Sequence, residues 1–291
     1  MDIDVLEGIV KQLKTDNNTF VSPEFNFIYT AHYNEVLLYT HFKEMLDVFR
    51  KYKIHTMVLT NGLPLTNEKV NLIKEYPDVV LGVTLNIPAS DAETWARLTN
   101  TNIKMFDKLI KNIEYAVTEL PHLTNSKSFG LQVNGINTQS LPENGGWMRL
   151  LENAPTIDLD SNTGDLAKAV SGFKKMFPTL NVYSNSGLVD RAGYLANQNV
   201  LTNVESIQMH IKKDKTKVIG CSNMGNRAES WLHINANGDV FICCNDYDFE
   251  TIFGNINDSL LEDIYNSAAR KEMIKKSYEE FCTTCSFAVW A

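Results

Sequence analysis

Apolar and polar positions follow two rhythms along this chain. Val5, Leu6, Ile9, Val10 and Leu13 recur at the spacing of one helical face, and Phe42, Met45, Leu46, Val48 and Phe49 repeat it. Val70 to Tyr76, Met105 to Glu119 and Leu166 to Met176 read as further helices. Between them lie short apolar runs bounded by polar or turn residues, the pattern of buried strands: Phe25 to Tyr29, Ile54 to Leu59, Val79 to Leu85, Phe129 to Val133 and Leu180 to Tyr183. Repeated strand–helix units predict an α/β fold with a mostly parallel sheet and helices outside it. Polar linking segments fall near Gly145-Gly146 and from Asn197 to Asn203. The second sets a domain boundary, with residues 1–200 forming the βα domain and 201–291 a smaller one.

The rhythm changes in that smaller part. Leu232, Ile234 and Ala236 alternate with His233 and Asn235, Asn237-Gly238 supplies a type I′ turn, and Val240 and Ile242 return the chain. A helix begins near Ser259. All five cysteines lie here: Cys221, Cys243, Cys244, Cys282 and Cys285. One cysteine, then another, then a Cys-Thr-Thr-Cys pair is a metal-site pattern. The hairpin would carry Cys243 back toward Cys221, and the helix would swing Cys282 and Cys285 up to meet them. Neighbouring strand residues point to opposite faces, so only one of Cys243 and Cys244 can serve. Four thiolates suit a tetrahedral zinc or a cubane iron–sulfur cluster, and spacing alone does not separate the two.

Composition narrows the classes of function. The chain has 291 residues, 44% hydrophobic and 21% charged, with a net charge of −8. No basic stripe is apparent, which argues against nucleic acid as a partner. No apolar run is long enough for a membrane span, and Met1-Asp2-Ile3-Asp4 does not open a signal peptide. A cytoplasmic, reducing setting is expected, which favours metal ligation over disulfides. None of the six histidines forms a ligand-spaced pair. Asp246-Tyr247-Asp248 reads as a solvated turn, and Trp147, Trp231 and Trp290 as core or cluster cover. Phosphate-loop, hydrolase and dinucleotide motifs are absent from the sequence.

The text around the cysteines resembles the SPASM/twitch extension of radical S-adenosylmethionine (radical SAM) enzymes. The matching elements are Cys221; Gly238 to Cys243; Gly254-Asn255-Ile256 followed by Ser259-Leu260-Leu261-Glu262-Asp263-Ile264-Tyr265; and Cys282 to Cys285. The resemblance implies an auxiliary [4Fe–4S] cluster on Cys221, Cys243, Cys282 and Cys285, its Gly-x4-Cys register selecting Cys243 over Cys244. The first gap is longer than usual, with the insertion placed at Asn223 to Glu229.

The first half resembles the radical SAM core, which implies a partial (β/α) barrel. Tyr33-Asn34-Glu35-Val36-Leu37-Leu38 stands where that family has Gly-Gly-Glu-Pro-Leu-Leu, and Thr60-Asn61-Gly62-Leu63-Pro64-Leu65 is similar to its Thr-Asn-Gly segment. Asp190-Arg191-Ala192-Gly193 resembles the arginine turn that precedes the extension. Asn34 and Glu35 are then remnants of a site for the amino group of S-adenosylmethionine, with His32 beside them. The family's Cys-x3-Cys-x2-Cys loop has no counterpart, since no cysteine precedes Cys221. Without an open iron, S-adenosylmethionine loses its main anchor. The resulting expectation is a degenerate radical SAM-like protein, not competent as such an enzyme, with one fully ligated cluster used in electron transfer or as support for binding. Its partners would be a redox protein or a peptide. The alternatives are a radical SAM enzyme whose cluster loop comes from elsewhere, and a zinc-stapled binding protein.

Overall fold

Four strands, β1 (Thr56–Thr60), β2 (Val80–Asn86), β3 (Phe129–Asn134) and β4 (Asn181–Asn185), form one parallel sheet in the order β1-β2-β3-β4. The computed structural model containing them describes residues 1–15, 19–22, 24–30, 34–134, 166–185, 217–222, 225–285 and 287–291. Sequential parallel order means that the chain winds one way, as in a (β/α) barrel, rather than reversing as in a doubly wound sheet. The crossovers described are helical: α3 (Asn67–Glu75) joins β1 to β2; α4 (Ala92–Thr99), α5 (Lys104–Glu119) and α6 (Pro121–Asn125) join β2 to β3; and α7 (Leu166–Met176) precedes β4. Upstream lie α1 (Ile3–Leu13) and α2 (Phe42–Lys51).

Register divides the sheet into two unlike faces. Val58 stands beside Val83, Val83 beside Phe129, Leu85 beside Leu131, and Leu131 beside Val182. All of these are buried. The opposite face carries Met57, Leu59, Thr84, Asn86, Gln132 and Tyr183, of which Leu59, Asn86 and Tyr183 are exposed. An apolar face toward the helices and a polar, open face on the other side is the arrangement of an incomplete barrel wall.

The helices meet this sheet because their stripes are the ones read from the sequence. Phe106, Leu109, Ile113 and Ala116 of α5 are buried, as are Phe42, Met45, Leu46 and Phe49 of α2. Side-chain caps start the crossover helices α4 and α3: Thr94 N–H donates to Asp91 Oδ1 at 2.9 Å, and Lys69 N–H to Thr66 Oγ1 at 3.4 Å. Helices α4 and α6 were not anticipated. The run expected as a strand from Phe25 to Tyr29 forms only a bridge, Phe27 beside His55, supported by Ile28 N–H to His55 O at 3.0 Å. Such a short contact leaves the chain extended against β1 without a ladder.

By contacts, described residues 24–134 and 166–185 group as one unit, and residues 1–22 and 217–291 as the other. The boundary expected near residue 200 lies outside the described residues. Helix α1, expected within the barrel-like half, instead meets α9 (Leu261–Asn266), where Leu261 N–H donates to Gln12 Oε1 at 2.7 Å. Phe20 and Tyr265 reinforce that contact with ring centroids 5.4 Å apart. Among the described residues no helix is long and apolar enough to cross a membrane.

The loop leaving β1 is a packed knot. Gly62 N–H donates to Thr60 Oγ1, Leu63 N–H to Asn61 Oδ1, and buried Asn112 of α5 donates to the carbonyls of Gly62 and Leu63 at 3.1 and 2.9 Å. Gly62 sits at φ +86°, and an added Cβ would lie 2.5 Å from Leu109 Cδ1. Gly62→Ala should therefore combine left-handed strain with overpacking and cost about 2–5 kcal/mol. The check is the thermal midpoint by far-UV dichroism, expected to fall by several degrees; an unchanged midpoint would contradict this account of the loop.

Candidate metal centre

The cysteines come together because two strands close the end of the chain on itself. β5 (Val218–Cys221) pairs antiparallel with β9 (Ala288–Trp290), placing Cys221 opposite Ala288. Ser222 N–H extends the pairing to Phe287 O at 2.8 Å. After α10 (Ala268–Glu279) the chain makes a 3-10 turn, Phe281–Thr284, that carries Cys282, and Cys285 follows at its end, its N–H donating to Cys282 O at 3.1 Å. Because β9 starts three residues beyond Cys285, pairing it with β5 brings Cys221 to the Cys282–Cys285 pair.

A second small sheet delivers Cys243. β6 (His233–Ile234), β7 (Asp239–Phe241) and β8 (Ile252–Asn255) run antiparallel in that order. Cys243 lies just beyond β7, in the loop leading to β8. The expected hairpin is present, but its turn is not type I′, which needs positive φ at both central residues. Of Asn237 and Gly238 only Gly238 has positive φ, at +90°, and Gly238 N–H donates to Asn235 O at 3.1 Å. Asn235 Oδ1 accepts the N–H groups of Asn237 and Asp239, which favours this longer loop. The third strand, β8, was missed in the sequence. Its Gly254 lies under Ile264 of α9, where a Cβ would meet Ile264 Cγ2 at 2.8 Å, so the Gly-Asn-Ile segment and the helix after it are matched by close packing.

The sulfurs sit among donors. Asn245 N–H reaches Cys243 Sγ at 3.4 Å, and Asn245 Nδ2 approaches Cys285 Sγ at 3.9 Å. Phe287 N–H reaches Cys285 Sγ at 3.4 Å. Burial pushes the Cys282 thiol up to about 12, with further upward contributions from Cys285 and Cys221. The Cys243 thiol is raised by its hydrogen bond with Cys244, by burial, and by Cys285 among others. Half-buried thiols that disfavour one another's ionisation are a donor set suited to a bound cation, which inverts the local preference and holds them as thiolates. By residue type these thiols are the donors that a four-thiolate group uses. Among the described residues no three Cys, His, Asp or Glu side chains converge as ligands of a single metal ion.

Cys244 differs from Cys243 in its surroundings. It is 3% exposed, and its sulfur receives a hydrogen bond from the Arg227 guanidinium. Arg227 also lies over the Trp231 ring at 5.0 Å. Arg227 belongs to α8 (Arg227–Ser230), a one-turn helix in the region read as an insertion. Asn226 before it adopts φ +64°, and its Oδ1 accepts Cys221 N–H at 3.2 Å. Neither residue was singled out from the sequence, since their role depends on a loop conformation that no periodicity announces.

Other sequence expectations fare variously. Asp246 is not solvated: it is 1% exposed and its carboxylate accepts Glu250 N–H, Thr251 N–H and Thr251 Oγ1 at 2.6–2.9 Å, stapling the loop after Cys243. Trp290 borders a surface groove, while Trp147, His32, Tyr33 and the arginine turn at Asp190 to Gly193 lie outside the described residues. Glu35 caps a 3-10 turn, Val36–Leu38, and its Oε2 accepts Asn61 N–H at 2.9 Å. The two segments that resemble the radical SAM core thus touch each other beside the C-terminal end of β1, the end of a βα barrel strand where sites form. Asn34, next to Glu35, is exposed.

Comparison with known proteins agrees with this architecture. The profile of the SPASM family, described as an iron-sulfur cluster-binding domain, matches residues 221–286. Among solved structures, native anSMEcpe with bound AdoMet is similar over 99% of this chain and 80% of its own, at 16% identity and a TM-score of 0.56. SuiB of Streptococcus suis bound to precursor peptide SuiA is similar over 92% of this chain and 58% of its own, at 15% identity and a TM-score of 0.51. No curated protein matches the chain. The fold is of the radical SAM type, α/β with a parallel sheet. Residues 221–286 match the SPASM iron-sulfur cluster-binding domain, and the likeness to these solved structures is one of fold.

If the four-thiolate set is Cys221, Cys243, Cys282 and Cys285, replacing any one of them by Ala should cut bound iron several-fold, whereas Cys244→Ala should leave it within error. Iron per chain by elemental analysis checks this. Loss with Cys244→Ala and none with Cys243→Ala would reverse the assignment.

Proposed function

We propose that this chain is an electron-carrying iron–sulfur protein of radical SAM/SPASM type, binding one [4Fe–4S] cluster through Cys221, Cys243, Cys282 and Cys285. The observation that carries this reading is the N–H donors of Asn245 and Phe287 directed at Cys243 and Cys285, within a segment that matches an iron-sulfur domain. Held by four thiolates, the cluster would supply one-electron storage without an open iron for substrate. The chain's own residues set the surroundings: β5 and β9 hold Cys221 against the Cys282–Cys285 turn, and Asn245 spans two of the sulfurs. Hydrogen bonds to sulfur stabilise the more negative, reduced state and raise the potential. The reading places the protein in the cytoplasm, with a redox protein as partner.

A second reading is favoured by the Glu35–Asn61 contact beside the C-terminal end of β1. It is a radical SAM enzyme acting on a peptide, with the three-cysteine loop supplied from outside residues 1–291. Solved structures with this fold include anSMEcpe with bound AdoMet and Cp18Cys peptide. In this reading Glu35, and the neighbouring Asn34, would face the amino group of S-adenosylmethionine.

Anaerobically prepared chain should be brown, with a broad visible absorption that bleaches on reduction, an EPR signal in the reduced state, and matching iron and sulfide counts. Incubated with dithionite and S-adenosylmethionine, it should form no 5′-deoxyadenosine above a protein-free blank. Colourless protein with stoichiometric zinc would defeat the cluster. Nucleoside formation lost in Cys282→Ala would assign the cleavage to this cluster and defeat the electron-carrier reading.

Removing the side-chain donor at Asn245 should lower the cluster's reduction potential by tens of millivolts, while Asn245→Gln should retain part of it. Anaerobic redox titration monitored by EPR checks this, and an unchanged potential in Asn245→Ala would show that the amide does not act on the sulfur.

A further inference from the structure

Lys271, Lys275 and Tyr278 recur along one face of α10 at helical spacing. With Lys217 before β5, Thr283 in the 3-10 turn and Trp290 at the end of β9, they line a concavity of about 440 Å³. The three lysines are exposed and none is in an ion pair among the described residues; Lys276, one position along, lies 3.7 Å from Glu280. Glu279 is the one carboxylate in the lining, so this groove is net positive on a chain of net charge −8.

The groove is tied to the cysteines through its own walls. Thr283 lies between Cys282 and Cys285, and the segment starting at Lys217 runs through β5 to Cys221. Trp290 is the register partner of Val218 across β5 and β9. The Tyr278 hydroxyl lies 3.0 Å from Asn226 Oδ1 and 3.1 Å from Glu229 Oε1, sharing its one proton between them, and Asn226 Oδ1 also accepts Cys221 N–H at 3.2 Å. Two hydrogen bonds thus connect the groove wall to a ligand residue.

Three exposed lysines on flexible stems attract charge without reading its shape, unlike a fork of arginines. Beside an aromatic wall they suit brief, salt-sensitive docking, the mode of small electron-transfer interfaces. We propose that this groove docks an acidic one-electron carrier protein that exchanges an electron with the SPASM cluster. The inference rests on the electron-carrier reading above. One electron leaves the reduced carrier, which is oxidised, and enters the cluster, which is reduced; no covalent bond forms or breaks.

The test mixes cluster-loaded full chain in stopped flow with a reduced plant-type ferredoxin of net negative charge, whose potential is about −400 mV. The bimolecular rate should fall at least about tenfold in K271E/K275E, and fall with added salt in the unaltered chain. K104E/K108E, the same charge change on α5, should stay within about twofold. Bleaching by dithionite should reach the same extent in all three. Equal ferredoxin rates in K271E/K275E and the unaltered chain would overturn the docking site alone. A poly-glutamate peptide whose binding weakens in K271E/K275E while the ferredoxin rate holds would likewise overturn it, and would give the groove to an acidic peptide. A chain without iron that shows no bleaching would overturn the cluster reading and this inference together.

Discussion

The antiparallel pairing of β5 with β9 is the contact on which the C-terminal unit depends. Without it Cys221 and the Cys282–Cys285 turn are separate pieces of chain. With it, three thiols are held near one another whether or not their charges are balanced. That closeness has an electrostatic cost, visible in the upward push on Cys282 from Cys285 and Cys221. Thiols pushed upward in this way stay protonated and uncharged, so a cation or cluster core that took them as thiolates would release their protons as it bound. The N–H groups of Asn245 and Phe287 lower the same cost locally, because each provides a sulfur with a donor.

In the α/β unit the corresponding constraint is the unlike character of the two sheet faces. Val58, Val83, Leu85, Leu131 and Val182 can all be buried only if every crossover helix lies on their side. This leaves Thr84, Asn86, Gln132 and Tyr183 facing away from the helices, and the strand ends converge on one edge. Glu35 and Asn61 meet at that edge, where the Thr60-Asn61-Gly62 loop is fixed by Asn112 from α5. Part of what Glu35 offers is therefore engaged in holding the loop. The two roles are compatible, since a carboxylate has several acceptor positions.

Continuous apolar runs and helical stripes were legible in the sequence, because burial on a parallel sheet leaves an unambiguous pattern. The boundaries of α2, α5 and α7 came out within a few residues for that reason. What failed had little hydrophobic signal. Phe25 to Tyr29 looks like a strand by composition, yet forms only one bridge to β1. Helix α1 has the right stripe, but a stripe does not name its partner, and that partner is α9. The hairpin turn was misread because Asn-Gly favours type I′, while the Asn235 side chain offers a competing turn that encloses Ala236 as well. Within the site, the order of the cysteines was visible, but their surroundings were not. Arg227, Asn226 and Asn245 act through loop conformation, and Asp246 is buried by hydrogen bonds that no periodicity encodes.

Charge shows the same limit from another side. The chain is acidic overall, and read as a string it carries no basic stripe. The cationic groove appears only once α10, the start of β5 and the end of β9 are brought side by side, since Lys217 is far in sequence from Lys271 and Lys275. Its position has a consequence for the redox group read into the site. A cubane held by four thiolates is net negative in both oxidation states and more so when reduced, so nearby cations stabilise the reduced form and raise its potential. The same lysines attract an acidic donor, whose own negative charge would otherwise be repelled by the chain. Docking and the driving force for transfer would then respond together to ionic strength. That coupling separates a built electron-entry site from lysines that merely keep the surface soluble.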